Sequence, residues 1–208
     1  MSNTLTSSVT QNLFDNGCFA YHPGFLPASR AGNLLESLET RAAWQQEYIK
    51  VFGREVAVPR RVAWYGDAGV SYSYSNVDHP ARGWSAALSQ LKAELEQYTS
   101  AAFNFVLLNG YPDGDCSMGW HSDDERELGA EPVIASISLG ATRRFRVRAK
   151  TSKHSAGRRR YSQAIDLEHG SLLVMRGASQ RDFEHCLTKT AAAVSTRVNL
   201  TFRNVLPV

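Results

Sequence analysis

The sequence predicts an α+β protein that is mainly β: a double-stranded β-helix, or double-sheet jelly roll, with two supporting helices along one side. Three observations carry this. Two early stretches repeat leucine at helical spacing. Beyond about residue 101, short apolar or alternating runs are punctuated by Gly, Pro, Asn and Asp. The last run, Arg197–Arg203, alternates polar and apolar residues strictly, which is the strand period.

Taken in order, residues 1–12 are rich in Ser, Thr and Asn and carry no Arg, so they read as a disordered tail and not a targeting peptide. Leu26-Pro27-Ala28-Ser29 opens a helix whose Leu34, Leu35 and Leu38 share a face. Gln46–Val51 and Arg54–Val58 form a hairpin with Phe52-Gly53 at its tip, followed by Trp64, Tyr65, Tyr72 and Tyr74. This stretch, about 45–80, reads as a platform appended to the barrel. A second helix over Ser85–Thr99 puts Leu88, Leu91, Leu95 and Tyr98 on one side. Strands are expected at Phe103–Leu108, Val133–Leu139, Phe145–Arg148, Ser171–Met175 and Thr196–Phe202, within a core of about 101–205. Such a fold can bring residues 121, 185 and 203 together.

The chain of 208 residues is long enough for one domain, 13–208, with a substantial core. A formal charge of +3 says little about partners. Its distribution says more, because Lys150, Lys153, Arg158, Arg159 and Arg160 cluster in one stretch and Arg54, Arg60 and Arg61 in another. Basic clusters are either nucleic-acid contacts or solvated loops. The three cysteines, Cys18, Cys116 and Cys186, lack CxxC spacing, which points to a reducing, intracellular compartment: cytoplasm or nucleoid, or the nucleus of a eukaryote. No stretch is apolar enough to span a bilayer.

The candidate chemistry starts at the last strand. Its polar face holds Arg197, Asn199, Thr201 and Arg203, a poor core but a good cradle for a small dianion. His121 and Asp123 are two apart, so both point to one side of an extended segment. With His185 they make the two-imidazole, one-carboxylate set of a non-haem Fe(II) site with open positions. Zinc competes, but there is no His-Glu-x-x-His helix and no finger-spaced Cys. Together the triad and the cradle suggest Fe(II), O2 and 2-oxoglutarate. Arg203 is expected to hold the distal carboxylate of 2-oxoglutarate, with Arg197 nearer the metal. Asn109 and Tyr111 are candidates to bond the same molecule, although Asn109-Gly110 is also a turn signal.

Asn109-Gly110-Tyr111, His121-Ser122-Asp123-Asp124-Glu125, Gly170–Met175, His185 and Arg197–Arg203 together resemble the AlkB family of dioxygenases, over about Val51 to Arg203. The resemblance implies that His121, Asp123 and His185 bind iron and that Asn109, Tyr111, Arg197, Asn199, Thr201 and Arg203 bind 2-oxoglutarate. It implies oxidative dealkylation of nucleobase nitrogens such as those of 1-methyladenine and 3-methylcytosine, with release of formaldehyde, succinate and CO2. Val51-Phe52-Gly53, Val58-Pro59-Arg60 and Trp64–Gly69 are similar to the branch that repairs duplex DNA, and make 45–80 a nucleotide-recognition lid. On that reading a flipped base leaves a gap that Phe52, beside Gly53, would fill. Tyr72, Tyr74 and Ser75 would meet the base, and Asp124 or Glu125 would attract a cationic lesion. Arg54, Lys153, Arg158, Arg159 and Arg160 would contact phosphates. One departure stands out. The duplex branch carries a basic cluster after the third metal ligand, whereas Thr188–Ala193 here holds a single Lys.

Single-stranded DNA and RNA therefore remain open as substrates, as does a non-nucleic-acid substrate. A non-catalytic jelly roll that binds nucleic acid is the remaining alternative. A monomer suffices for the chemistry.

Overall fold

A computed structural model describes residues 10–13, 17–51, 53–74, 77–150 and 162–207. The first half of the chain runs β1 (Gln11–Asn12), β2 (Phe19–His22), α1 (Ala28–Arg41), β3 (Gln45–Val51), β4 (Arg54–Gly66), β5 (Ser71–Tyr74), β6 (Val77–Pro80) and α2 (Ala86–Thr99). Then come β7 (Phe105–Tyr111), β8 (Met118–His121), β9 (Ile134–Gly140), β10 (Arg143–Ala149), β11 (Ser162–Leu167) and β12 (Ser171–Met175). The chain closes with α3 (Ser179–Asp182), β13 (Phe183–Leu187) and β14 (Arg197–Arg203). An eight-stranded sheet in the order β1-β2-β12-β9-β14-β7-β4-β3 faces a four-stranded sheet ordered β11-β10-β13-β8, and β5-β6 form a ribbon. These two sheets are the expected jelly roll.

Strand β14 lies between β7 and β9, antiparallel to both. Its alternation sorts its side chains between two environments. Val198, Leu200 and Phe202 are fully buried in a core shared with Leu34 and Leu38 of α1 and Leu88, Leu91 and Leu95 of α2. Its polar face looks the other way, toward the small sheet. Both helices therefore back the large sheet, as expected. The Ser85 hydroxyl caps α2 by accepting from the Leu88 N–H, and Ser100 in the left-handed region ends it. Tyr98 does not join the leucine face. It sits half exposed at the rim, edge-on to His22 and Phe25.

Two expectations need correction. The β3–β4 hairpin forms with Val51 opposite Arg54, and Gly53 takes the positive φ of +78° that its two-residue tip demands. It is not an appended platform, however. β4 runs on to Gly66 and pairs with β7 over Arg61–Gly66, so the hairpin is the outer edge of the large sheet. Ladder hydrogen bonding carried the strand beyond the Pro59 that made it look finished. Likewise β7 does not stop at the expected Leu108 but runs on to Tyr111, with Asn109 and Gly110 paired to both β4 and β14 and Tyr111 to β14. Pairing on both sides overrides the local Asn-Gly preference. The short α3 gave no periodic signal. Among the described residues no helix is long and apolar enough to cross a membrane.

Gly140 pairs with Arg197 at φ +84°, and a Cβ there would run into the Thr196 carbonyl oxygen. Gly140→Ala should therefore cost about 1–3 kcal/mol of unfolding free energy in urea, as overpacking does, and push β14 outward at Arg197.

Candidate active site

The polar face of β14 meets matching rows on its neighbours. Arg197 lies between Tyr111 and Gly140, Asn199 between Asn109 and Ser138, and Thr201 between Leu107 and Ser136. The small sheet closes over this floor with His121 at the end of β8, directly opposite His185 on β13. Asp123 follows two residues on. The pocket between the sheets encloses about 560 Å³ including its mouth, and these side chains line it.

His121, Asp123 and His185 converge, with one potential ligand atom from each lying within 4.8 Å of the others. The His121 and His185 rings are 4.3 Å apart, and His121 Nε2 is 3.9 Å from Asp123 Oδ1. His121 Nδ1 donates to the Gly119 carbonyl at 2.8 Å, which leaves Nε2 with its lone pair free for an ion. Burial, and then the neighbouring His121, hold His185 down to about 3, so it is a neutral imidazole at physiological pH. Burial alone would push Asp123 up, but Arg203 and the two histidines outweigh it and keep the carboxylate ionised. Two imidazoles and a carboxylate are the donors that divalent iron accepts. His185 Nδ1 is buried with no hydrogen-bond partner among the described residues. The triad fits the metal.

The two arginines are placed opposite to expectation. Arg203, not Arg197, is beside the metal ligands: its Nη2 is 3.6 Å from Asp123 Oδ2 and its Nη1 donates to the Tyr72 hydroxyl at 2.6 Å. Arg197 lies six residues back along β14, toward Tyr111. Residue spacing showed that both share a face but not which end of the strand meets the triad. Arg197 is 1% exposed, donates to Ser138 Oγ at 3.0 Å and lies over the Tyr111 ring at 5.4 Å. Among the described residues no carboxylate pairs with it. Burial, then the nearby Arg143, pull it down to about 10. A buried cation lacking a counter-charge is what a dicarboxylate's far end would neutralise. The remaining cradle is knit together. Asn199 Nδ2 donates to Ser136 Oγ at 2.8 Å and to the Ile137 carbonyl, and Thr201 Oγ1 reaches Asn199 Oδ1 at 3.5 Å. Asn109 Oδ1 accepts from Arg60 Nε at 2.8 Å.

The expected base-contacting residues separate. Tyr72 is fully buried against Phe105, so its ring is not an open stacking face. The Asp124 carboxylate points outward and is paired with Lys150 at 3.0 Å. Glu125 is the inward carboxylate. It hydrogen-bonds Tyr72, its Oε2 is buried without a partner, and burial followed by the Asp123 charge raises its pKa. Arg54 is exposed on β4 just past Gly53, and Tyr74 lies on β5. Phe52, Ser75, Lys153, Arg158, Arg159 and Arg160 lie outside the described residues. Sequence reading missed Ser138, Gln180 and the role of Arg60. The serines at alternate positions of the otherwise apolar Ile134–Gly140 run were a usable signal; Gln180 had none.

The family model described as "2OG-Fe(II) oxygenase superfamily" matches residues 18–203. The chain is 41% identical over 189 residues to the alpha-ketoglutarate-dependent dioxygenase alkB homolog 3 of Mus musculus, covering 89% of this chain and 65% of that protein. It is 41% identical over 160 residues to the DNA oxidative demethylase ALKBH2 of Mus musculus, covering 76% and 67%. The Arabidopsis thaliana protein of that name is 33% identical over 225 residues, covering 99% and 72%. The chain thus spans about two thirds of the length of these relatives. The solved structure of OsALKBH1 superposes with a TM-score of 0.68 at 15% identity, over 94% of this chain and 100% of that one, a likeness of fold.

Because folded His185 titrates near 3 against an ordinary 6.5, the unfolded chain binds the proton first. The stability this group contributes is present above pH 6.5 and is lost as pH falls toward 3. Replacing His185 by Gln should flatten the decline of urea-unfolding free energy below pH 6.5, by up to about 1.4 kcal/mol per pH unit.

Proposed function

The chain belongs to the 2OG-Fe(II) oxygenase superfamily, among its AlkB homologues, and from that membership we propose that it removes alkyl groups oxidatively from nucleobase nitrogens in DNA. The observation that carries this reading is the charge layout of the site. An uncompensated Arg197 lies at one end, and Glu125, bonded to Tyr72 but with its buried Oε2 free, stands near Asp123 at the other. The first suits the distal carboxylate of 2-oxoglutarate. The second suits a base carrying positive charge, as 1-methyladenine and 3-methylcytosine do near neutral pH.

His121, Asp123 and His185 would hold iron; Asn109, Tyr111, Arg197, Asn199, Thr201 and Arg203 would hold 2-oxoglutarate. Bound together with O2, these cofactors supply hydroxylation of the N-alkyl carbon, whose product collapses to formaldehyde and free base, leaving succinate and CO2. The chain's own residues position the partners. Arg203 holds Asp123 from behind while its other nitrogen meets Tyr72, so the metal side of the pocket is locked to the large sheet. Glu125, on the same segment as two ligands, would receive the lesion's exocyclic N–H groups and its charge. Asp124 is neutralised by Lys150 and does not compete for that cation.

Duplex DNA is the substrate favoured by the hairpin. A flipped base has to be replaced in the stack; Val51 and Arg54 pair at the end of the hairpin and Gly53 takes a positive φ there, and Phe52, which precedes Gly53 in the sequence, is the apolar residue proposed for that role. Arg54, with Lys153 and Arg158–Arg160, would take phosphates. Thr188–Ala193, with its single Lys, favours a second reading in which single-stranded DNA or RNA is the better substrate. A monomer acting in the cytoplasm, nucleoid or nucleus suffices for either.

The test is anaerobic reconstitution with Fe(II) and 2-oxoglutarate, then exposure to air with matched single-stranded and duplex oligonucleotides carrying 1-methyladenine or 3-methylcytosine. Mass spectrometry should show methyl loss from the duplex at a rate at least comparable with the single strand. His121→Ala should abolish turnover, and Phe52→Ala should slow the duplex far more than the single strand. Demethylation of the single strand alone would establish the second reading, and succinate without demethylation would move the substrate outside nucleic acid.

Arg197→Met should raise the dissociation constant for 2-oxoglutarate, measured by calorimetry with Mn(II), by at least about 30-fold, the scale of a lost buried charge pair. An unchanged affinity would remove Arg197 from the cosubstrate site.

A further inference from the structure

The segment that bears His121 and Asp123 is held by groups outside the triad, and one of them is buried directly against it. Gln180 is 1% exposed and sits in α3, immediately before the strand that carries His185. Its Oε1 accepts the main-chain N–H of Asp123 at 2.9 Å. Its Nε2 donates to Ser179 Oγ at 3.2 Å and contacts Met175 Sδ at 3.5 Å, which orients the amide with its oxygen toward Asp123. The main-chain carbonyl of Gln180 accepts from Lys150 Nζ at 2.7 Å, and that ammonium also meets Asp124. Gln180 therefore grips the ligand segment twice, at Asp123 directly and at Asp124 through Lys150.

This grip bears on the metal because Asp123 lies past the end of β8. Strand β8 stops at His121, so the Asp123 N–H has no place in the ladder with β13. Its direction is set by the Gln180 oxygen. Fixing that N–H fixes the main chain from which the carboxylate springs. Groups one step behind metal ligands set ligand orientation in this way and influence affinity strongly. We propose that Gln180 is a positioning residue of the metal centre, holding the Asp123 main chain so that its carboxylate meets an ion shared with His121 and His185. The inference rests on reading the triad as a metal site.

The experiment is binding of Mn(II) to the full-length metal-free protein, followed by the electron paramagnetic resonance of free Mn(II). Gln180→Leu removes the acceptor at similar size, and Gln180→Glu keeps an oxygen at the same reach. Gln180→Leu should weaken Mn(II) binding by about 10- to 100-fold, as loss of an outer-shell partner does, and Gln180→Glu should restore most of it. A Gln180→Leu protein that binds Mn(II) as tightly as the wild type overturns the inference, and so does equal weakening in both variants. If Gln180→Leu does not fold, amide hydrogen exchange in the wild type decides. Slow exchange at Asp123, outside any strand, supports the grip, and free exchange overturns it. Wild-type protein that binds no Mn(II) would instead sink the metal reading of the triad, and exchange at Asp123 would still report on Gln180.

Discussion

The ion pair between Arg203 and Asp123 ties the two sheets of this protein together at the point where the chemistry is placed. Arg203 is the last residue of β14 in the large sheet, and Asp123 follows the last residue of β8 in the small one. Both are almost wholly buried. Burial alone would drive the carboxyl toward its neutral form. Arg203 reverses that, and Tyr72, Asp123 and Glu125 in return hold Arg203 above its ordinary pKa despite its own burial. Breaking such a pair by removing one partner costs about 3–5 kcal/mol, because the other charge is left stranded. The carboxylate that a metal requires is thus maintained by the strand that also forms the floor of the pocket.

From that pair the rest of the site follows in register. Antiparallel pairing puts Asn199 and then Arg197 in successive rows away from the metal, each facing a polar neighbour on β7 or β9. The charges along β14 are therefore unequal. Arg203 is compensated by protein, whereas Arg197 is not, and a ligand carrying one carboxylate near the metal and another farther off would complete the layout. On the outer side, Lys150 occupies Asp124, which leaves Glu125 as the inward acid.

Much of this was legible before any coordinates. The alternation in Arg197–Arg203 identified a strand with an apolar back and a polar front; the back packs into the core and the front lines the pocket. The leucine spacings identified both helices, with the start of α1 and both ends of α2 placed to within one or two residues. His121 and Asp123 were found because they share a side of a short extended segment. What failed did so for physical reasons. The strand before Asn109 was expected to stop at Leu108, because the Asn-Gly turn preference is local and the two flanking strands that override it are not. Tyr72 looked like an exposed platform because alternation with serines says that two rings share a side, not that the side faces Phe105. Gln180 was invisible, since its contact with Asp123 spans 57 residues of chain and follows no pattern.

The sequence by itself determined which residues share a face and which chemistry they carry, because strand and helix periods are local and the donor types of His, Asp and Arg are intrinsic. It thereby identified the triad, the two arginines and the jelly roll that could unite them. Only the tertiary structure decided polarity and partnership: that Arg203 and not Arg197 stands beside the His121–Asp123–His185 triad, that Glu125 and not Asp124 turns inward, and that the hairpin extends the large sheet. Those outcomes depend on which end of β14 meets β8 and on which charges lose their water. Both are properties of the packed sheets and not of any segment.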